Sequence, residues 1–171
     1  MLFVTNRFPN QSIRTRRGRR FTFDLRNNAP SNSVFFCEAG DGEDHKEIGS
    51  PDFLARLKAS EYRQILLYVH GFNNLPDQVF QMARELQALC DAAKPKEALV
   101  VPLVWPCDAG RGIVDKYWDD QKSADLSAGS LSRVLEKFLA WRNSDANDPE
   151  IAPCLKRINL LAHSMGNRVL R

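Results

Sequence analysis

Three continuous apolar runs constrain the fold of this 171-residue chain more than any other feature. They are "ILLYV" at residues 65–69, "EALVVPLVW" at residues 97–105 and "RINLLAH" at residues 157–163. A strand that is buried on both faces of a parallel sheet has such a continuous pattern, whereas a half-exposed strand alternates apolar and polar residues. The runs therefore predict three buried strands of a parallel sheet.

Two segments with apolar residues at helical spacing separate these strands. The first covers residues 76–93, with Asn74 as a candidate cap and Pro76 in the first turn. The second covers residues 130–142. Strand and helix thus alternate over residues 62–171, which predicts a βαβαβ core. The apolar helix positions are Val79, Met82, Ala83, Leu86, Leu89 and Cys90, then Leu131, Val134, Leu135, Phe138 and Leu139.

Residues 1–40 have the pattern of short strands instead, in "LFVTN", "RFTFDLR" and "SVFFCEA". In the second of these, Phe21, Phe23 and Leu25 alternate with polar residues, which is typical of a half-buried strand. We expect these strands to form an antiparallel edge of the same sheet. The polar segment "GDGEDHKEIGSPD", which contains His45, predicts a loop.

The composition is that of a soluble globular domain, with 43% hydrophobic residues, 26% charged residues and a net charge of +3. No run approaches the roughly 20 apolar residues of a membrane span, and the N-terminus lacks a signal-peptide pattern. We therefore expect a cytoplasmic protein without a membrane span. A basic run covers residues 14–20; no nucleic-acid-binding fold surrounds it, so it predicts a solvated loop between two strands, and nucleic acid is not an expected partner.

Cysteine and histidine spacing predicts neither a metal site nor a cofactor. No two of the four cysteines form a CxxC pair, and the three histidines are scattered. Gly-rich phosphate-binding fingerprints are absent as well. Free thiols are expected, with Cys90 in the core.

The last strand leads into "AHSMG", in which Ser164 stands between a predicted strand and a predicted helix. At such a turn the hydroxyl projects from the carboxyl edge of the sheet, and the N–H of the next residue, Met165, points to where an oxyanion would form. Small residues must flank the serine because strand and helix approach closely; Ala162 and Gly166 fill those positions. The alternative is that Ser164 only caps a helix.

An earlier His-Gly pair supports the first interpretation. His70 and Gly71 follow the strand at residues 65–69, so Gly71 would let the loop turn in close and the N–H of Phe72 would point into the site. Phe72 and Met165 would then supply two oxyanion donors. The alternative is that His70 is a turn residue bonded to backbone.

Five motifs in order resemble those of a bacterial α/β-hydrolase family of unknown function within the esterase/lipase superfamily. They are "VTNR", "LLYVHGFNN", "VPLVWPCDAG", "YWDDQKSADLSAGSL" and "NLLAHSMGNRVL". The resemblance runs from Thr5 to the last residue. That family tends to have alanine at the first small position, which Ala162 matches.

The resemblance implies an α/β fold: a mostly parallel, α/β-hydrolase-like sheet with antiparallel N-terminal edge strands and flanking helices, formed by residues 1–171 as one incomplete domain. It also implies a serine hydrolase acting on small-molecule carboxylic esters, without indicating which ester. Ser164 would be the nucleophile, and Phe72 and Met165 the oxyanion donors. The site loops would contain His70, Gly71, His163 and Gly166.

A serine hydroxyl needs a base that a carboxylate orients, and in this fold the acid and the histidine follow the serine in the chain. Neither occurs after Ser164. We expect His163 to point away from Ser164, His70 to bond to backbone and His45 to lie in its loop. Three aspartates, Asp108, Asp119 and Asp120, are interpreted as polar loop residues.

Three explanations of the missing base remain open. The C-terminal part of the fold is absent from these residues, or the product is a catalytically incomplete module that binds or assembles with proteins, or a homo-oligomer or partner chain completes the sheet. Without further strands beyond it, "INLLA" would be an exposed edge strand. Phe72, Trp105 and Trp118 are candidates for lining a pocket, although aromatic residues at such positions are more often core.

Overall fold

Seven strands form one mixed sheet in the computed structural model, which describes residues 1–40, 42, 44–107, 112–144 and 156–171. Within these residues the strands are β1 (Leu2–Arg7), β2 (Arg20–Phe21), β3 (Pro30–Ala39), β4 (His45–Glu47), β5 (Gln64–Val69), β6 (Ala98–Val104) and β7 (Arg157–Ala162). The helices are α1 (Ser50–Ala59), α2 (Pro76–Ala93), α3 (Ile113–Ser144) and α4 (Gly166–Val169). The strand order in the sheet is β2-β4-β3-β1-β6-β5-β7.

The sheet has a parallel half and an antiparallel half. β1, β6, β5 and β7 run parallel, so that Leu67 of β5 pairs with Val101 on one side and Leu160 on the other. β3, β4 and β2 continue the sheet beyond β1 in antiparallel pairs. The predicted fold class, a parallel core with antiparallel N-terminal strands and flanking helices, is confirmed.

Helices cover both faces of the central strands, and β5 shows why its sequence is continuously apolar. Ile65, Leu67 and Val69 face a core that contains residues of α1, α3 and α4, whereas Tyr68 faces a second core that contains residues of α2. Successive side chains of a strand point to opposite faces, so a strand between two cores needs apolar residues at every position.

β7 differs from the prediction of a third buried strand. It lies next to β5 but at the edge of the sheet, and Leu160 and Leu161 are 46% and 40% exposed. The continuous apolar pattern, which is typical of a strand buried on both faces, therefore occurs here on a largely exposed strand at the edge of the sheet.

α2 has the predicted bounds, but two details were wrong. Asn74 does not cap it: the N-cap residue is Leu75, whose N–H donates to the side-chain oxygen of Gln78 at 2.8 Å. Leu89 is exposed, whereas Cys90 is half-buried against the second core.

α3 begins at Ile113, far ahead of the predicted residue 130, and it includes two of the aspartates interpreted as polar loop residues. Asp119 and Asp120 thus lie on a helix, and Asp120 is fully buried; Asp108 lies outside the described residues. Small and polar residues form much of the buried face of α3, so its first half lacks an apolar periodicity. Ala124, Ser127 and Ser130 belong to that face, whereas Leu139 is exposed.

The prediction of one loop over residues 40–52 is wrong, because β4 lies within it and α1 begins at Ser50. His45 lies in β4, where its buried ring packs edge-on against Phe3 and Phe80. The "RFTFDLR" strand is shorter than predicted, since β2 ends at Phe21 and Leu25 is exposed.

The basic run follows β1 and ends at Arg20, the first residue of β2, and three of its arginines form ion pairs. Arg17 pairs with Asp52, Arg19 with Glu47 and Arg20 with Asp44. Among the described residues, Cys37, Cys90 and Cys107 are free thiols; Cys154 lies outside them. No helix in the described part of the chain is both long and apolar enough to cross a membrane.

Candidate functional site

Ser164 occupies a sharp turn between β7 and α4. Its φ is 51°, in the left-handed region that L-amino acids other than Gly, Asn and Asp seldom adopt. Backbone strain of this kind costs on the order of 1–3 kcal/mol and persists where the surrounding structure enforces it, often at functional sites. The strand-to-helix turn that places a serine hydroxyl at the edge of a sheet has this strained geometry.

The close approach of α4 to β5 explains why Gly166 follows the serine. A Cβ atom at this position would lie 2.6 Å from the backbone oxygen of His70 and 2.7 Å from that of Val69. Real Cβ atoms essentially never come that close to backbone oxygens, so only glycine fits. Ala162, at the first small position, packs against the first core.

The loop after β5 lies against the Ser164 turn, as the sequence predicts. A Cβ on Gly71 would lie 3.1 Å from the Ser164 Cβ and 2.8 Å from the His163 Nδ1. Because Gly71 has no side chain, the backbone of the loop after β5 can contact Ser164 itself. The exposed His163 lies against Gly71, and its N–H donates to the Val69 oxygen at 2.9 Å, which continues the pairing of β5 and β7.

Two backbone N–H groups lie next in sequence to the contact between the two loops: that of Phe72 follows Gly71, and that of Met165 follows Ser164. Within the part of the chain that the structure describes, neither donates to a protein acceptor. Met165 is 6% exposed and immediately precedes α4. Backbone N–H groups of this kind can stabilise a negative charge that develops on a substrate oxygen.

Asn74, which the sequence suggested as a helix cap, instead holds the loop that carries Phe72. Its buried side-chain amide donates to the backbone oxygens of Gly71 at 3.2 Å and Phe72 at 2.9 Å. Its backbone contacts the buried Cys107: the Asn74 N–H donates to Sγ at 3.2 Å, and the thiol donates to the Asn74 oxygen at 2.9 Å. These bonds fix the carbonyls of the loop, so the N–H of Phe72 has a defined direction.

Two charged residues whose sequence contexts did not indicate such a role, Arg7 and Asp120, support the same loop. The fully buried Arg7 donates from Nη1 to the backbone oxygen of Cys107 at 2.8 Å and from Nε to that of Asp24 at 3.2 Å. Asp120 of α3 accepts the N–H of Asn73 at 3.2 Å. These three hydrogen bonds join segments that are distant in the sequence.

His70 is a buried, neutral structural residue. Its Nε2 accepts the backbone N–H of Trp105 at 3.2 Å. The proton of the ring is therefore on Nδ1, which donates to the Gly71 backbone oxygen at 3.0 Å. The ring stacks on the Trp105 indole with centroids 5.0 Å apart. Burial lowers the pKa of His70 from 6.5 to about 4, because the charged form would lose its hydration. The predicted bonding of His70 to backbone is present, and both ring nitrogens are engaged in it.

α4 is tied to α3 by a paired ion bridge. Arg168 donates from Nε and Nη2 to the two carboxylate oxygens of Asp125 at 2.9 and 2.7 Å. This pairing lowers the pKa of the Asp125 carboxyl. The bridge attaches the helix that follows Ser164 to the rest of the protein.

No side chain among the described residues hydrogen-bonds the Ser164 hydroxyl, so none is placed as its base. His45 lies in β4, on the far side of β1 from β5, and Asp119 is an exposed residue of α3. In the same residues, no cluster of three or more His, Cys, Asp or Glu side chains could hold a metal ion.

The three aromatic residues proposed for a pocket have different surroundings. Trp105 is core, Phe72 is half-buried and Trp118 is exposed. A cavity of about 570 Å³ lies elsewhere, lined by Phe23, His45 and Pro76 among others, and does not include Ser164.

Residues 46–171 match the model of a family described as an alpha/beta hydrolase of unknown function (DUF900). Neither the search of curated proteins nor that of solved structures gave a match to the chain.

Proposed function

Because the chain belongs to this alpha/beta hydrolase family of unknown function, we propose that it is a serine hydrolase that cleaves carboxylic esters, with Ser164 as nucleophile. The observation that carries the proposal is the positive φ of Ser164 in a turn that directly contacts the Gly71 loop. A serine that only capped a helix would need neither the strained backbone nor the second loop. In addition, the structure gives no side-chain cap hydrogen bond for α4.

The geometry supports the following sequence of steps. The Ser164 Oγ attacks the carbonyl carbon of the ester, and a base accepts its proton. The electron pair of the carbonyl moves to its oxygen, which accepts hydrogen bonds from the Phe72 and Met165 N–H groups. The tetrahedral intermediate then collapses, the alcohol leaves with a proton, and water hydrolyses the acyl-enzyme. Each donor of this kind contributes roughly 3–4 kcal/mol to transition-state stabilisation.

The base is the part of this mechanism that the three histidines do not supply. The ring nitrogens of His70 are both bonded to backbone groups, His45 lies in β4, and His163 lies against Gly71. We infer that the activity needs a histidine and an acid in addition to these residues.

A fluorophosphonate probe tests the assignment of Ser164. We expect one phosphonate per chain, mapped to Ser164 by peptide mass spectrometry, in the protein with its acid and base in place. Labelling should disappear in Ser164→Ala and persist in Ser132→Ala, which removes an exposed serine of α3. Labelling that survives Ser164→Ala would refute the proposal.

The exposed edge of β7 favours a second candidate function, binding of a protein partner without catalysis. Leu160 and Leu161 are unusually exposed for a sheet strand, and edge strands pair readily with other chains. This alternative predicts no labelling of Ser164 together with stable dimers or complexes in sizing experiments. A monodisperse monomer would contradict it.

A further inference from the structure

The first two turns of α3 expose three large apolar side chains beside the candidate site. Val114, Tyr117 and Trp118 are 69%, 46% and 61% exposed. Their spacing of three and four residues places them on one face of the helix. Contiguous apolar groups on a surface often mark a binding site, because exposing them to water is unfavourable.

This helix face continues into the loop that carries the proposed oxyanion donor. The Tyr117 ring packs edge-on against Phe72 with centroids 5.7 Å apart, and Trp118 packs edge-on against Tyr117 at 5.8 Å. We refer to Phe72, Val114, Tyr117 and Trp118 as the aromatic patch. Phe72 connects the patch to the candidate site, since its N–H is the proposed oxyanion donor and its ring is part of the patch.

The position of the patch relative to Ser164 is fixed by contacts of the same loop. Asp120, one helical turn after Tyr117, accepts the Asn73 N–H at 3.2 Å, and the Lys116 ammonium donates to the Asn73 side-chain oxygen at 3.4 Å. On the other side of Phe72, Gly71 contacts Ser164. A substrate whose carbonyl reaches the serine therefore has an apolar surface within reach.

We propose that the aromatic patch is the subsite for an apolar group of the ester, so that the preferred substrates carry an aromatic ring or an alkyl chain of several methylenes next to the carbonyl. This inference rests on the proposed function, because it takes the ester carbonyl to lie at Ser164. An acetyl group has no methylene chain to lay on the patch. A hexyl chain or a phenyl ring covers Tyr117 and Trp118 and removes their apolar surface from water.

Neutral methyl ketones test the subsite without turnover, since they offer a carbonyl oxygen but no leaving group. Binding of methyl ethyl ketone and methyl hexyl ketone is followed by the amide NMR shifts of Phe72 and Met165. A fully buried methylene tightens binding about fourfold, and contact from one side gives about half of that free energy. The hexyl ketone, with four more methylenes, should therefore bind about fifteenfold more tightly.

Variants distinguish ketone binding at the aromatic patch from nonspecific hydrophobic binding elsewhere on the protein. Tyr117→Ala and Trp118→Ala should each remove most of the preference for the hexyl ketone, whereas Leu126→Ala should retain it. Leu126 is an exposed apolar residue of the same helix outside the patch. Equal affinities for the two ketones, or an equal loss in Leu126→Ala, would overturn the subsite.

Fluorophosphonate labelling distinguishes this inference from the proposed function. Labelling of Ser164 without a preference for the longer ketone overturns the subsite and leaves the hydrolase proposal standing. In the protein with its acid and base in place, a preference that depends on Tyr117 and Trp118, without labelling of Ser164, supports the patch as a binding surface and overturns the hydrolase proposal.

Discussion

Replacing Gly166 with alanine should destabilise the protein, because the new methyl group meets backbone instead of a movable side chain. The added Cβ would lie 2.6 Å from the His70 oxygen and 2.7 Å from the Val69 oxygen, at the end of a strand held between β6 and β7. Inserting a carbon where packing leaves no space costs about 1–3 kcal/mol. We expect Gly166→Ala to lower the free energy of unfolding by that amount.

Gly129→Ala is the matched control, because it makes the same chemical change where space is open. Gly129 lies within α3, and apart from its chain neighbours and the adjacent helix backbone no atom lies within 4 Å of the position of an added Cβ. Alanine in a helix interior is more stable than glycine by about 0.8–1.0 kcal/mol. The two substitutions should therefore differ by about 2–4 kcal/mol and have opposite signs.

Urea unfolding of the three proteins, followed by circular dichroism, measures this difference. The midpoint should fall for Gly166→Ala and rise for Gly129→Ala, with similar slopes. If the short α4 moves away to relieve the clash, the stability change becomes smaller but the Ser164 turn is displaced, and fluorophosphonate labelling should fall. Unchanged stability together with unchanged labelling in Gly166→Ala would refute the close approach of α4 to β5.

The other two predictions concern the buried groups of the Gly71 loop. Because the pKa of His70 is lowered to about 4, the folded protein binds no proton there while the unfolded chain binds one below about pH 6.5. The free energy of unfolding should then fall by up to about 3 kcal/mol as the pH decreases from about 6.5 to 4. In urea melts His70→Gln should lose this part of the pH dependence, and an unchanged pH profile would contradict a neutral buried imidazole. Asn74→Ala removes two hydrogen bonds, to the buried Gly71 oxygen and the partly buried Phe72 oxygen, and should lower the free energy of unfolding by about 2 kcal/mol. Asn10→Ala, which removes exposed hydrogen bonds, should have a smaller effect, and equal effects would argue against a special role of Asn74.

The sequence predicted β5, β6 and α2 well because their burial is strong and regular. β5 and β6 lie between two cores and are apolar at almost every position. Few other elements of secondary structure need such a continuous apolar sequence. α2 packs on one face of the sheet and has the corresponding helical spacing. Its bounds were predicted, but its cap was not, since Asn74 has the chemistry of a cap and uses its amide for the neighbouring loop, while Leu75 is the N-cap residue.

α1 and the first half of α3 were missed for different reasons. α1 follows a polar segment, although Phe53, Leu54 and Leu57 have helical spacing and could have indicated it. The buried face of α3 contains Ala124 and Ser127, and small residues of this kind let a helix pack closely without giving an apolar pattern. Apolar periodicity therefore predicts helices that bury large apolar side chains, but it does not indicate helices whose buried face consists of small or polar residues.

The sequence predicted which segments form the candidate site but not what holds them in place. The Ser164 turn and the Gly71 loop each have a local pattern, and the structure brings them into contact. Arg7, Cys107 and Asp120 support the loop through bonds to residues far away in the chain. Such long-range bonds depend on the folded arrangement of three or more segments, so a single sequence contains no pattern for them. The catalytic role of Ser164 stays a prediction.

A crystal structure of the phosphonylated protein shows directly whether Ser164 is the nucleophile. We expect a phosphorus bonded to Ser164 Oγ, with the phosphoryl oxygen about 2.7–3.1 Å from the backbone nitrogens of both Phe72 and Met165. An adduct on another residue, or a phosphoryl oxygen that neither nitrogen contacts, would contradict it.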